Sequence, residues 1–239
     1  MPSPTVRNFK LSIPGAGTVS AKADMPADDM PGAPALILAH GAANDLDYPL
    51  LAYLGEHLAR ALGATVLRFN FPYVERGAEH STDSAAILEE TLRSAHKHVA
   101  TLVPAETPVF VGGKSLGGRV AAELVSRRVE GDGLAVAGLV ELGYPLHAPG
   151  RTDRVNVKPL RHIDVPSLFC IGSRDAFCDL DLLRPLLATL LAPAELYVVE
   201  GGDHSLILSR SSGKAPDGAY ADVAAKVAAF LISATAKGA

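Results

Sequence analysis

The sequence predicts an α/β protein with an open, mostly parallel, doubly wound sheet and an N-terminal hairpin. Two observations predict it. Six short apolar runs, each ended by polar or Gly-rich residues, recur along the chain, and stretches with apolar residues at helical spacing lie between them. A length of 239 residues with 48% hydrophobic and 20% charged content suits one domain with one substantial core, spanning 1–239.

The elements follow in order. "TVRNFKLSI" and "GTVSAKADMP" flank Pro14-Gly15-Ala16-Gly17, which reads as the turn of an opening hairpin. Strands are expected in "PALILAHG" (34–41), "ATVLRFNFP" (64–72), "TPVFVGGKS" (107–115), "VAGLVELGYP" (136–145), "VPSLFCIGSRD" (165–175) and "AELYVVEGGDH" (194–204). Each is too short for a helix and apolar on both faces, as buried parallel strands are. Helices are expected over 47–62, with Asp47 placed to cap it, and over 81–102, 115–128, 180–191 and 220–234. Ligands of such sheets bind outside the carboxyl ends of the strands, so the strand-end residues are the ones to examine.

Composition narrows the function classes. Twenty-two Lys plus Arg against 26 Asp plus Glu give a net charge of -4 with no basic run, which argues against nucleic-acid binding. The N-terminal stretch lacks an apolar leader segment and no run approaches the roughly 18 apolar residues of a membrane span, so a cytoplasmic protein without membrane contact is expected. Cys170 and Cys178 are too few for a disulfide framework and lack metal-ligand spacing; Cys170 reads as packed within a strand.

"VFVGGKSLGGR" (109–119) admits two readings. A phosphate-binding loop needs a glycine five residues before Gly113, because backbone amides between two glycines must wrap the phosphates; position 108 is Pro108 and the intervening residues read as strand. A nucleophile elbow needs a strand running into Gly-x-Ser-x-Gly and a helix beginning at once, and Gly113, Ser115 and Gly117 meet that requirement.

A serine needs a base and an orienting acid. The chain order Ser, acid, His is met by Ser115, by Asp175 at the end of one strand and by His204 at the end of the next. His40, His57, His80, His96, His98, His147 and His162 are the other histidines. Of these, 57, 96 and 98 lie on helices, facing water on this reading, and 40 and 147 come too early in the chain. Asp203 should point away from its neighbour's ring, and Asp179 and Asp181 read as helix caps. The amides of Leu116 and of Ala42, in "HGAAND", are the candidate oxyanion donors, with His40 bracing their loop.

The blocks "LAHGAAND", "LRFNFPY", "GGKSLGGR", "ELGYPLHAPG", "GSRDAF" and "EGGDHS" together resemble the dienelactone-hydrolase-like branch of the α/β-hydrolases. More closely, they resemble a predicted-hydrolase group that includes a testis-expressed hydrolase-like protein and the hydrolase-like domain of a non-specific-lethal chromatin-complex subunit. The resemblance runs from about Pro34 to His204 and implies the α/β-hydrolase fold and the Ser115, Asp175, His204 triad. Dienelactone hydrolases carry a cysteine nucleophile where this chain has Ser115, which puts dienelactone itself in doubt as substrate.

Only residues 146–164 separate two strands between which many α/β-hydrolases insert a cap, so no cap domain and a shallow, open site are expected. Its rim would comprise Asn70, Phe71, Tyr73, Tyr144, Leu146 and His147, the candidate substrate-binding residues. Three strand charges stand out, Arg68, Lys114 and Glu141, and the last two are expected to form a partly buried pair. The expected activity is serine hydrolysis of a small carboxylic ester or thioester with no metal or organic cofactor. A binding scaffold on the same fold and an acyltransferase are the alternatives.

Overall fold

A computed structural model of the chain describes residues 3–28, 30–77, 82–209, 213, 215 and 217–238. The opening hairpin is β1 (Thr5–Ile13) and β2 (Gly17–Met25), joined through the expected Pro-Gly turn. Then come β3 (Ala35–Ala39), α1 (Pro49–Leu62), β4 (Thr65–Phe69), α2 (Pro72–Glu75) and α3 (Ala85–Val99). They are followed by β5 (Val109–Lys114), α4 (Leu116–Ser126), β6 (Gly138–Leu142), β7 (Ser167–Gly172), α5 (Leu180–Leu187), β8 (Ala194–Val199) and α6 (Tyr220–Gly238). All eight strands form one sheet in the order β1-β2-β4-β3-β5-β6-β7-β8, antiparallel at β1-β2-β4 and parallel from there on.

The alternation of strand side chains explains why the central runs are apolar throughout. On β3, Ala35, Ile37 and Ala39 enter a core against α3, α4 and α5, while Leu36 and Leu38 enter a second core against α1 and α6. The chain reverses direction of winding between β3 and β5, and the crevice at that switch point is where an open α/β sheet receives ligands. The carboxyl end of β3 leads into Gly41, and that of β5 into Ser115. No cap interrupts the sheet: between β6 and β7 the only regular element is one 3-10 turn, Leu160–His162.

The structure corrects several local readings of the sequence. Asp47 does not cap α1; the helix starts at Pro49 behind Tyr48 without a side-chain cap, and Asp47 instead meets Lys22 (2.6 Å) and Arg68 (3.3 Å). Arg68 itself is bound to Asp24 on β2 in a buried ion pair (2.8 Å), which answers one of the three strand charges. His57 stacks on Tyr53, and His96 and His98 are half-buried against Ala135 and Phe9, so the helix histidines do not simply face water. His80 lies outside the described residues. Asp179 caps α5 as the sequence suggests, accepting from the amides of Asp181 and Leu182, whereas Asp181 lies inside the first turn and is not a cap.

The expected Lys114 and Glu141 pair does not exist, and the register shows why. Gly113 lies opposite Glu141 and Lys114 opposite Leu142, so the two charges leave the sheet on opposite faces. Glu141 is fully buried beneath α4, close to Gly118, and among the described residues neither carboxyl oxygen has a hydrogen-bond partner. Burial pushes its pKa well above the ordinary carboxylate value, so the folded state holds its proton more tightly than the unfolded chain does. The folded protein therefore loses stability as pH rises from the ordinary carboxylate range toward the raised value. Glu141→Gln, which mimics the protonated form, should match wild type near pH 5 and exceed it near pH 8 by at least about 1 kcal/mol, read by denaturant melts at both pH values.

Candidate active site

The turn from β5 into α4 takes one residue. Ser115 has φ 51° and ψ -111°, a left-handed conformation that L side chains rarely adopt, and it presents its hydroxyl at the start of α4. The turn is seated against β3: a Cβ on Gly113 would stand 2.3 Å from the Ala39 carbonyl oxygen, and one on Gly117 would stand 2.5 Å from it. Only glycine fits at either position, which is the physical content of the Gly-x-Ser-x-Gly spacing.

Ser115, His204 and Asp175, from three separate strand ends, are brought into one hydrogen-bonded series. Ser115 Oγ lies 2.9 Å from His204 Nε2, and His204 Nδ1 lies 2.9 Å from both carboxyl oxygens of Asp175. A carboxylate only accepts, so Nδ1 carries the ring proton and Nε2 is left as an acceptor for the serine hydroxyl. Asp203 takes no part, because its Oδ1 accepts from the amides of Ser205 (2.8 Å) and Ile207 (3.0 Å) in the next turn.

Two residues that sequence reasoning passed over complete this series. The Phe177 ring lies on the His204 ring with centroids 4.3 Å apart, and the Phe177 amide donates to Asp175 Oδ1 (2.8 Å), so one residue fixes both partners. Gly143, at φ +67°, lets the His204 backbone approach; a Cβ there would meet the His204 carbonyl oxygen at 2.4 Å. Both lay within quoted motifs, "GSRDAF" and "ELGYP", but neither type suggests chemistry when read alone.

The loop after β3 is held by its carbonyls. The Gly41 oxygen accepts from His40 Nδ1 (2.8 Å), the Asn44 amide (3.1 Å) and the Tyr73 hydroxyl (3.3 Å), which also donates to the Ala42 oxygen (3.0 Å). The Gly41–Ala42 peptide is planar and trans, so fixing its oxygen fixes the Ala42 N–H in the opposite direction. Among the described residues neither the Ala42 nor the Leu116 N–H donates to any protein acceptor. His40 is completely buried, and burial holds its pKa below the ordinary value; its Nε2 accepts from the Phe71 amide (3.0 Å), so the ring is neutral and braces the loop as expected.

The expected rim residues fare differently. Phe71, Tyr144 and Leu146 are fully buried and form no rim; they pack the core beneath the site. Asn70 is spent on structure, accepting from the Leu46 amide (2.8 Å) and donating to Glu75 (3.0 Å). His147 is also engaged at both nitrogens: Nδ1 with the Ala148 oxygen (2.9 Å) and Nε2 as acceptor of the Asp179 amide (3.0 Å), so it braces the turn that carries Asp175. Tyr73 is also buried, 3% exposed with its hydroxyl on the loop carbonyls, and reaches only the wall of a cleft of about 700 Å³ that includes Ala42, Asn44, Asp45 and Tyr48. A second cleft of about 550 Å³ runs along Asp175, Arg174 and His147. Both cysteines are buried, with thiol pKa values pushed up to about 12 by burial; Cys178 supports the series only through its backbone, its amide donating to the Asp175 carbonyl (3.3 Å).

A strand-turn-helix serine joined to a histidine and an acid at successive strand ends of an open sheet defines an α/β-hydrolase. The chain belongs to that family: the model described as "Alpha/beta hydrolase domain" matches residues 32–232. Solved structures agree in fold. A dienelactone hydrolase from Anabaena variabilis has a TM-score of 0.71 at 18% identity, with 97% of this chain and 99% of that chain covered. Est1E from Butyrivibrio proteoclasticus has a TM-score of 0.71 at 14% identity (96% and 99% covered). XC6422 from Xanthomonas campestris, described as a serine hydrolase without lid, has a TM-score of 0.65 at 19% identity (98% and 96% covered). At these identities the likeness is one of fold.

Gly143→Ala is expected to keep the fold but push the His204 backbone away from Ser115. Stability should fall by about 1–2 kcal/mol from the left-handed backbone alone, read by thermal melting. Labelling of Ser115 by a fluorophosphonate should slow by about 10²-fold, the scale of a displacement near 1 Å.

Proposed function

We propose that this chain is a serine hydrolase of small carboxylic esters or thioesters that works through an acyl-enzyme on Ser115. The observation that carries the reading is the unbroken series from Asp175 through His204 to Ser115, each link at 2.9 Å. The resemblance of six sequence blocks to the dienelactone-hydrolase-like predicted hydrolases, and the serine hydrolase without lid among the structural neighbours, point the same way.

In the first half-reaction the Ser115 oxygen bonds to the substrate carbonyl carbon while its proton passes to His204 Nε2. Asp175 holds the Nδ1 proton and stabilises the imidazolium; Phe177 keeps the ring from turning out of line. The substrate oxygen takes up negative charge, and the Ala42 and Leu116 amides, free of protein acceptors, are the donors assigned to it. Collapse breaks the bond to the alcohol or thiol, which leaves with the proton from His204. Water then attacks the acyl carbon, gives its proton to His204 and releases the acid, and that proton returns to Ser115. The uncapped sheet favours a short acyl group with a leaving group projecting outward, and Tyr73, beside Ala42, is the retained candidate for contact with substrate.

Wild type should label stoichiometrically with a small fluorophosphonate and hydrolyse p-nitrophenyl acetate faster than long-chain esters. Ser115→Ala should lose the label and at least about 10³-fold in kcat while melting normally. A folded wild type that takes no label would overturn the reading.

A further inference from the structure

Of the three strand charges, Lys114 and Glu141 are left without an ionic partner, on opposite faces of the sheet, and Lys114 is the one on the side of the loop after β3. It directly precedes Ser115 and is 5% exposed, yet among the described residues its ammonium makes no hydrogen bond and no ion pair. Its surroundings are specific. Nζ lies 5.4 Å from the centre of the Tyr48 ring, and a methyl group placed on Gly41 would stand 3.6 Å from Nζ. The charge is therefore held under the loop that carries the Ala42 amide, and the carboxylates of Asp175 and Asp203 act on it through space. A buried cation costs several kcal/mol when left unpaired, and an apolar side chain of similar length would fill the same space.

We propose that Lys114 is a positioning residue for the reaction at Ser115: its positive charge, held against Gly41, steadies the loop that carries the Ala42 amide and adds positive field where the substrate oxygen becomes negative. The proposal rests on the serine-hydrolase reading above. Lys114 touches neither the substrate carbonyl nor the Ser115 proton; it acts through the field at the Ala42 amide. With the side chain 5% exposed, that field is screened less than a surface charge would be.

The titratable groups around it are few. Tyr48 comes from the segment before α1, and Tyr220 from α6 bonds to Tyr48. Asp175 follows β7, Asp203 and His204 follow β8, and Glu141 faces away. Burial lowers the Lys114 pKa, and the two aspartates offset this in part, so the charge is lost at lower pH than for a free lysine. One consequence has a definite sign. In wild type, activity falls as alkaline pH neutralises Lys114.

The test compares wild type, Lys114→Met and Lys114→Gln by the rate of Ser115 labelling with a small fluorophosphonate from about pH 5 to 10, and by kcat and KM on p-nitrophenyl acetate. The expected result is a plateau about tenfold lower in both variants with KM unchanged and no alkaline fall. Melting temperatures at or above wild type should accompany it, because a buried charge has been removed. Variants that fold and reproduce the wild-type profile would overturn this proposal while leaving the hydrolase reading intact, and so would failure of both to fold, which would make Lys114 structural. A wild type that is not labelled would overturn both.

Discussion

The site depends on the close approach of the β5-α4 turn to the end of β3. Gly113 and Gly117 bring both sides of the turn against the carbonyl of Ala39, leaving no room for a Cβ on either. That approach forces the strand into a helix within one residue and puts Ser115 in its left-handed conformation. It also sets the start of α4, with its unfilled amides, beside the loop that follows β3. The backbone strain is of the order of 1–3 kcal/mol and is held by parallel strand pairing on both sides of β5.

Two histidines outside the reactive series do matching structural work. His40 and His147 each donate from Nδ1 to the carbonyl of the following residue and each accept at Nε2 from the amide of another loop. The first ties the end of β3 to the segment after β4; the second ties the segment after β6 to the start of α5. An imidazole suits this task because in its neutral form it offers one donor and one acceptor about as far apart as two adjacent loops. The reactive residues are thus mounted on loops whose backbones are pinned from the sides.

The α/β class, the elbow and the Ser, Asp, His sequence were legible because each is a local pattern: apolar runs, glycine spacing, and polar residues where runs stop. What was misread depends on register or on contacts between distant loops. Lys114 and Glu141 lie on neighbouring strands at the right height, but an offset of one residue sends them to opposite faces. Phe71 and Tyr144 follow strand ends, where exposure is the usual expectation, yet they fold back into the core. Phe177 could not be recognised, since its meaning comes from a ring supplied by the next strand.

The segment between β6 and β7 has a further property. Its exposed stretch, residues 148–155, is closed off at the base, because the Asn156 amide donates to the Leu146 oxygen (2.7 Å) and His147 is fastened to Asp179. A stretch with clamped ends and a free middle can lengthen without dragging its anchors, since closing a longer loop adds only a slowly growing entropy cost. This makes the chain a receptive host for grafting: a helical lid inserted there would arrive beside the cleft that runs along Asp175 and His147, with its attachment points already in place. The same protein could then be taken from an open platform to an enclosed chamber by extending one surface loop.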